Sequence, residues 1–305
     1  MATLEDMIGQ YRKVLDKKLK AKKIKYSSYK AYNSGLNTFS GYLLVKKNIR
    51  IFHQSEIQEA IDQMEEDEIS GKTIRNYMTP LRAVFRMAYN KDIIEKGDIL
   101  DKVELPSYNK PPIRAFSKKE MLRILSYVEE HYPKAYPIIL FLFATGVRGG
   151  EMCACKWEYM NFEKSYYHVH EGFAVHMLET PKTESSVRKI HIPEKLKEVL
   201  EALWIEQGEP EKGFMFLTSY GEPYTSTRHI IKDFWKPTLT ALEIPYRRIY
   251  NTRHTYAVLS LDANDKLSNI SKSMGHASMQ MVMEVYSKPA DEDPEDTNFG
   301  STFDM

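Results

Sequence analysis

A short run containing three prolines, VELPSYNKPPIRAF at residues 103–116, separates two differently patterned halves of the sequence. Because the residue before a proline disfavours the α region, this run is typical of an extended linker. Ser117 and Glu120 follow it at the S-x-x-E spacing of a capping box, which indicates that a helix begins there. The chain is therefore predicted to fold as two domains, and its 305 residues are enough for two hydrophobic cores.

The hydrophobic pattern differs between the two sides of this linker. Before it, apolar residues recur at helical spacing, as in TIRNYMTPLRAVFRMAYN, where Pro80 is expected to kink or shift the helix. After it, helical stretches are mixed with YYHVHEGFAVHM and VRKIHIP, in which apolar and polar residues alternate as they do in strands. The predicted helices cover residues 4–23, 29–45, 55–67, 73–90, 117–130, 134–145, 194–206, 226–241, 250–262 and 278–286.

The net charge of +1 conceals an uneven distribution of charge along the chain. Residues 287–305 hold one lysine against six acidic residues, a net of −5, which leaves +6 for residues 1–286. The first thirty residues alone hold nine lysines and arginines against three acidic residues. A basic body of this kind indicates nucleic acid as a partner, although a lysine-rich helix face that only contacts solvent gives the same signal.

Several classes of protein are disfavoured by the sequence. The longest apolar run, IILFLFA, is far shorter than a membrane span, and the polar N-terminus lacks the apolar region of a secretory signal. Cys153 and Cys155 are the only cysteines, so no disulfide framework is expected and a reducing cytosol fits. No GxxxxGK[ST], HExxH or GxSxG motif occurs. His168 and His170 share a strand face, but no cysteine or carboxylate pattern completes a metal site there.

Two stretches of the second half place basic residues where they can act on a phosphate. ATGVRGGE puts Arg148 after a Thr-Gly turn, with Glu151 three residues later. An arginine at a turn can donate two parallel hydrogen bonds to a phosphate, and a carboxylate one turn away can fix its orientation, although a surface ion pair has the same spacing. In PKTESSVRKIHIP, Lys182 can reach a DNA groove or donate a proton, but lysines are also common in loops.

Two further stretches contain tyrosines close to other polar residues. In RRIYNTRHTYA, Tyr250 and Arg253 are three residues apart and share a face if a helix begins there. The first N–H groups of a helix have no intrahelical partner, so a helix start can bind an anion. His254, in the same stretch, is expected to be a hydrogen-bonded structural residue. MGHASMQMVMEVY contains His276 and, ten residues later, Tyr286. Tyr286 falls on the apolar face of a predicted amphipathic helix, and that pattern alone would make it a core aromatic residue.

Together, the four stretches resemble the sequence boxes of the tyrosine recombinases, the phage integrase family. ATGVRGGE resembles the first-arginine box, PKTESSVRKIHIP the β-hairpin lysine motif, YNTRHTYA the second-arginine box, and MGHASMQMVMEVY the Gly-His box followed by the nucleophilic tyrosine. The resemblance implies a two-domain tyrosine recombinase architecture that is mainly α with a small antiparallel sheet. The implied parts are a helical core-binding domain over 1–104, a linker over 105–114, a mixed α/β catalytic domain over 115–286 and an acidic tail over 287–305.

The same resemblance implies a role for each residue of the predicted site. Tyr286 would be the nucleophile that forms a 3′-phosphotyrosyl link with DNA. Arg148 and Arg253 would neutralise the charge that develops on the phosphate. Lys182 would protonate the leaving 5′-oxygen, and His276 would hydrogen-bond the phosphate and orient it. No metal or cofactor is implied.

Two positions near the first and second arginines carry weaker implications. Glu151 would support the site from behind Arg148. Tyr250 stands where the family commonly has histidine, and a hydrogen-bonding role suits a phenol that normally titrates near pH 10. Gly149 and Gly150 are expected either to bring backbone close to DNA or to ease packing.

The implied partners are double-stranded DNA, enclosed by both domains, and other copies of the chain. A free monomer would assemble into a homo-tetramer on DNA in the bacterial cytoplasm, away from membranes, with accessory DNA-bending or directionality proteins as possible helpers. The predicted DNA-contacting residues are basic: Lys17, Lys18, Lys22, Lys23, Arg247 and Arg248.

The biological task stays open at this level. Integration of a phage or integrative element is the leading hypothesis. Dimer resolution, DNA inversion and transposition use the same chemistry. A catalytically silent DNA-binding clamp would keep the fold without the reaction.

Overall fold

The computed structural model describes residues 2–95, 99–108, 114–179 and 187–275. The chain divides into two compact units, Met1–Pro111 and Pro112–Met305. The roles and limits assigned to the two domains from the sequence stay predictions.

The N-terminal unit is built from four helices around one hydrophobic core. A capping box starts the first helix, because the hydroxyl of Thr3 accepts the backbone N–H of Asp6 and the Asp6 carboxylate accepts that of Thr3. Pro80 does not end the fourth helix, which runs through it with the proline buried. The helices are α1 (Leu4–Lys20), α2 (Tyr26–Tyr42), α3 (Gln54–Glu66) and α4 (Gly71–Tyr89).

The C-terminal unit is organised around α6, whose ten residues are all buried. A helix that is apolar on every side must be surrounded by other elements, which accounts for the IILFLFA run. The capping box predicted after the linker is present, since the hydroxyl of Ser117 accepts the N–H of Glu120 at 3.1 Å. The helices of the unit are α5 (Lys118–His131), α6 (Tyr136–Thr145), α7 (Gly149–Cys153), α8 (Glu194–Glu206), α9 (Arg228–Ile230), α10 (Lys236–Ala241), α11 (Asn251–Asp262) and α12 (Leu267–Met274).

Two small antiparallel sheets complete the described part of this unit. In the first sheet the strand order is β1-β2-β5, and in the second β3 pairs with β4. Residues of β5 alternate between buried and exposed, which turns Arg188 and Ile190 inward. The strands are β1 (Met160–Asn161), β2 (Tyr166–Val169), β3 (Gly172–Ala174), β4 (Met177–Glu179) and β5 (Arg188–His191).

The predicted fold class is confirmed, with local differences. The stretch YYHVHEGFAVHM forms strands in both sheets, because β2 pairs with β5 whereas β3 turns back onto β4. Residues 231–235 form a π-helical turn between α9 and α10, within the single helix that was predicted. Helix α12 was not predicted, and the helix expected over 278–286 lies outside the described residues.

Cys153 and Cys155 are both buried free thiols. Burial raises the pKa of Cys153 to about 12 and raises that of Cys155 as well, so both stay protonated at neutral pH. Within the described ranges, no helix has the length and apolar character needed to cross a membrane.

Candidate active site

Arg148 is presented by a tight turn between α6 and α7. Helix α6 ends at Gly146, whose φ of 62° lies in the left-handed region. A Cβ at this position would lie 2.5 Å from the ring of Tyr256, so the turn requires glycine for its backbone and for its packing. Arg148 follows with extended backbone and caps α7.

Glu151 fixes Arg148 from the first turn of α7. Its Oε2 accepts the backbone N–H of Arg148 at 2.9 Å, and its Oε1 accepts Nη1 of the same residue at 2.7 Å. The neighbouring glycines permit close packing, since a Cβ on Gly150 would lie 2.3 Å from the carbonyl oxygen of Phe173 in β3. Of the two reasons considered for these glycines, the contacts therefore support packing.

A third residue, Arg188 of β5, binds the same carboxylate. Its Nη2 donates to Oε2 of Glu151 at 2.9 Å, and its Nη1 to Oε1 at 3.3 Å. The Arg188 side chain is only 2% exposed, whereas that of Arg148 is 38% exposed. One local signal points to this residue: Arg188 shares the inward face of its strand with Ile190, where a charge needs a buried partner.

Arg253 reaches the site from α11 and is fully buried. Its Nη1 donates to the carbonyl of Gly146 at 2.7 Å and its Nη2 to that of Met274 at 2.6 Å. Its Nε has no hydrogen-bond partner among the described residues. Burial, followed by the charge of Arg148, lowers the pKa of Arg253 to about 10, so the group is still a cation at neutral pH.

The three arginines also converge on the C-terminal end of α12. The last carbonyls of a helix have no intrahelical donors, and here each of three successive carbonyls accepts a bond from a different arginine. The longest of the three, from Arg148, measures 3.4 Å. The bonds join Arg188 Nε to Ser273, Arg253 Nη2 to Met274 and Arg148 Nη2 to Gly275.

A cleft of about 250 Å³ opens beside Arg148. Tyr250 stands at this cleft with 46% of its surface exposed, and its ring packs edge-on against His254 with 4.9 Å between centroids. Tyr250 is thus exposed at the cleft, whereas Arg253, three residues later, is buried. The other lining residues are small, apolar or hydroxyl-bearing: Leu142, Val147, Gly149, Gly150, Thr227, Ile249 and Thr252.

The charges of this cluster do not balance among the described residues. Arg148, Arg188 and Arg253 bring three positive charges, and Glu151 is the carboxylate that binds two of them. Burial alone would raise the pKa of Glu151, but the charge and hydrogen bonds of Arg188, then the charge of Arg148, lower it overall. Glu151 is therefore ionised at neutral pH, and the cluster retains positive charge beside an open cleft. Such a site favours an anion.

The remaining basic residues differ from this cluster. Arg247 donates from Nη1 and Nη2 to Glu120 at 2.6 and 2.8 Å, and its guanidinium lies over the ring of Phe116. These contacts give Arg247 a structural role, so its predicted contact with DNA gains no support. The other predicted DNA-contacting residues are exposed, and that contact stays a prediction for Lys17, Lys18, Lys22, Lys23 and Arg248.

The histidines of the strand region form no metal site in the described part of the chain. The ring centroids of His168 and His170 lie 3.9 Å apart, and the ring of His170 also contacts that of Tyr159. Nδ1 of His176 lies 2.9 Å from the hydroxyl of Thr225. Across the described ranges, no group of three or more histidine, cysteine or acidic residues is placed to hold a metal ion.

Residues 114–293 match the model of the phage integrase family. The chain belongs to the phage integrase family. Of the predicted site residues, the described part of the chain brings together Arg148, Glu151, Tyr250 and Arg253. The other predicted site residues lie outside the described residues: Lys182, His276 and Tyr286.

Relatives of this phage integrase family member come from bacteria and mobile elements. A tyrosine recombinase XerC-like protein of Caldanaerobacter subterraneus subsp. tengcongensis is 25% identical over 268 residues, which are 78% of this chain and 68% of that protein. The ICEBs1 integrase of Bacillus subtilis is 24% identical over 81% of this chain and 69% of its own length. The transposase of transposon Tn916 from Enterococcus faecalis is 22% identical over 79% of this chain and 64% of its own length. The chain thus spans about two thirds of these proteins.

Solved structures share the fold of this family member. The Tn1549 transposon integrase, in complex with a circular intermediate DNA, has a TM-score of 0.79 at 20% identity and covers 95% of this chain and 96% of its own. A lambda integrase tetramer bound to a Holliday junction has a TM-score of 0.74 at 18% identity, over 95% of this chain and 80% of its own.

Proposed function

We propose that this chain is the site-specific recombinase of a mobile element, most simply its integrase, and that it cleaves and rejoins DNA through a covalent link to Tyr286. The observation that carries the proposal is the cluster of three guanidinium groups around one carboxylate at the cleft beside Arg148. A phosphodiester supplies the negative charge that such a cluster lacks. The family membership and the mobile-element relatives support the same reading.

The reaction exchanges one phosphate ester bond for another. The Tyr286 oxygen attacks the scissile phosphorus, the bond from phosphorus to the 5′-oxygen breaks, and the phenolic proton is lost. The departing 5′-oxygen takes up a proton, for which Lys182 is the proposed donor. A 5′-hydroxyl of the partner strand later attacks the phosphotyrosine and releases Tyr286. The number of ester bonds is unchanged, so the covalent intermediate retains the energy needed for rejoining.

The arginines stabilise the transition state of both steps. The five-coordinate phosphorus carries extra negative charge on its non-bridging oxygens, and planar guanidinium groups can donate to two of them at once. Arg148 is exposed enough to reach such an oxygen while Glu151 holds it in place. Arg253 is fully buried, so it is proposed to add a desolvated positive charge from behind Arg148. His276 is proposed to orient the phosphate.

The partners follow from this chemistry. The substrate is double-stranded DNA carrying a specific junction sequence, and four copies of the chain act on two duplexes. The DNA-bound Tn1549 integrase and the tetrameric lambda integrase complex support this assembly by analogy. A cytoplasmic location and helper proteins that bend DNA or set its direction belong to the same proposal.

Trapping of the covalent intermediate tests the proposal. A nicked duplex with the element's own junction sequence loses a short fragment after cleavage, so the strand cannot be rejoined and the protein–DNA adduct accumulates. The wild-type chain should form an adduct that survives denaturation, and Tyr286→Phe should form none. Tyr220→Phe is the matched control, because Tyr220 is 90% exposed and distant in sequence from all four boxes. Absence of a wild-type adduct on a junction that the protein binds would leave only the silent DNA-binding clamp.

A further inference from the structure

Arg188 occupies a position that the proposed chemistry does not use. Its side chain is 2% exposed, so it has no open path to a phosphate in the cleft, unlike Arg148. Its N–H groups nevertheless donate hydrogen bonds to two parts of the site. Nη1 and Nη2 bind the carboxylate of Glu151, and Nε donates to the carbonyl of Ser273 at the end of α12.

The first of these contacts controls the orientation of Arg148. Glu151 holds Arg148 through both its backbone N–H and its Nη1, and Arg188 holds Glu151 from the opposite side. A carboxylate pinned between two guanidinium groups has one preferred position. If Arg188 is removed, the buried carboxylate keeps Arg148 as its partner but loses the group that fixes it against β5.

The second contact controls the backbone at the end of α12. Besides the bond to Ser273, the guanidinium lies against Gly275, where a Cβ would be only 3.0 Å from Nη1 of Arg188. Gly275 in turn accepts the long bond from Arg148. One buried side chain of β5 therefore joins the carboxylate on α7 to the backbone at the end of α12.

We propose that Arg188 is a positioning residue for the reaction, acting through Glu151 on Arg148 and through Ser273 on the end of α12, without touching DNA. This inference rests on the proposed function, because positioning has meaning only if the cleft binds the scissile phosphate. Its consequence is specific: the chemical step depends on Arg188 more strongly than DNA binding does.

A pH profile separates positioning from a purely structural contribution. In the wild type the net effect of the two arginines lowers the pKa of Glu151, so the ionised form persists to acidic pH. Loss of Arg188 removes the largest compensating influence and leaves burial to raise the pKa. In the variant, Glu151 therefore becomes protonated at a higher pH than in the wild type as the solution is acidified. The acid limb of the cleavage rate should move upward in pH.

The experiment uses the full chain and the same nicked duplex, with single-turnover adduct formation followed across pH. Arg188→Met keeps the side-chain length without the charge, and its adduct formation should slow by about 10- to 100-fold, the range found when a residue that orients site ligands is removed. DNA affinity should change by much less than the rate. Arg188→Lys restores a charge without the two-pronged geometry and should recover part of the rate. Lys189→Met, on the exposed face of the same strand, is the matched control and should behave as wild type.

A second variant ties the pH effect to Glu151. Arg188→Met combined with Glu151→Gln has no titrating group at this point, so the upward shift of the acid limb should vanish. A wild-type rate and pH profile in Arg188→Met would overturn the inference, while the wild-type adduct would still uphold the recombinase proposal. Lower thermal stability with an unchanged rate and profile would also overturn it. If Arg188→Met does not fold, Arg188→Lys carries the test by the same two readouts. Failure of the wild type to form any adduct would overturn the recombinase proposal itself, and the inference with it.

Discussion

The C-terminal unit contains two arginine–glutamate systems built on the same local motif, and they differ in charge balance. Glu120 and Glu151 each occupy the third position of a helix and accept the N–H of the residue that caps it. Glu120 binds a single arginine, Arg247, through two bonds of 2.6 and 2.8 Å. Glu151 binds two arginines, Arg148 and Arg188. A third, Arg253, lies close enough that the charges of this group affect the pKa of Arg253. The charges of the first system are balanced, whereas the second has surplus positive charge that an anion can neutralise.

This difference teaches how a structural ion pair is told from a ligand site. A bidentate pair with one charge of each sign satisfies its own electrostatics and needs nothing further. A cluster with surplus positive charge and an unpartnered Nε on Arg253 is costly in the free protein. Such a cost at an open cleft indicates a site that is completed by its ligand.

The largest expected effect is on stability, when the central carboxylate is neutralised. Glu151→Gln leaves three guanidinium groups without a counter-charge and should lower the free energy of unfolding by about 3–5 kcal/mol. Glu120→Gln leaves only one arginine unpaired, at side chains that are 16% and 23% exposed, and should cost less, about 1–3 kcal/mol. Urea denaturation followed by tryptophan fluorescence measures this, because all three tryptophans, at positions 157, 204 and 235, lie in the C-terminal unit. Equal losses for the two variants would remove the distinction between the two systems.

The next largest effect is on the chemical step. Arg253→Met removes a buried positive charge from behind the proposed phosphate site and should slow adduct formation by about 100- to 1000-fold, close to 3–4 kcal/mol of transition-state stabilisation. Arg247→Met breaks the balanced pair and should lower stability more than it lowers the rate. The single-turnover rate, measured at a temperature where both variants are folded, makes the comparison. A similar loss of rate in both variants would place Arg247 in the site as well.

The turn that presents Arg148 gives a smaller effect. Gly146→Ala puts a side chain at a positive φ and against the ring of Tyr256, and should cost about 2–3 kcal/mol of stability. Gly208→Ala is the matched control, since its φ is 82° but nothing lies within 4 Å of the new methyl group. That control should lose only the backbone contribution, about 1–2 kcal/mol. Thermal denaturation of both variants separates crowding from strain, and a smaller loss at Gly146 than at Gly208 would contradict the packing argument.

The smallest effect concerns the missing anion itself. Inorganic phosphate should stabilise the folded chain by binding the surplus charge, by about 1.4 kcal/mol at ten times its Kd. Arg148→Met should reduce this stabilisation, and Glu120→Gln should not. The shift of the melting temperature with phosphate concentration, at constant ionic strength, measures it. Equal shifts in all three proteins would indicate a general salt effect.

The parts of the site that could be predicted from sequence are those set by local spacing. Arg148 and Glu151 are three residues apart, so helix geometry alone brings the carboxylate back to the capping residue. The capping box at Ser117 and the buried α6 follow from equally local patterns. These features need no knowledge of the tertiary fold.

The parts that could not be predicted depend on long-range contacts. Arg188 and Glu151 are 37 residues apart in the sequence, and only the tertiary fold brings their side chains within hydrogen-bonding distance. Arg247 lies in a basic stretch, for which a contact with DNA stays a prediction, and its partner Glu120 could not be identified from local spacing because it is 127 residues away. Helix α12 was not predicted although Leu267, Ile270 and Met274 recur at helical spacing, because eight residues are too few to be stable as a helix without tertiary packing.

The three arginine bonds to the end of α12 make the phosphate site and the chain beyond Gly275 parts of a single equilibrium. On the proposed function, a phosphate that draws the exposed Arg148 side chain into the cleft pulls it away from the carbonyl of Gly275, whose bond is the longest of the three at 3.4 Å. By thermodynamic reciprocity, whatever tightens that carbonyl on Arg148 weakens phosphate binding by the same factor, and phosphate binding loosens the carbonyl equally. On the proposed function, binding of the scissile phosphate is therefore coupled to the backbone at Gly275, eleven residues before the predicted nucleophile Tyr286.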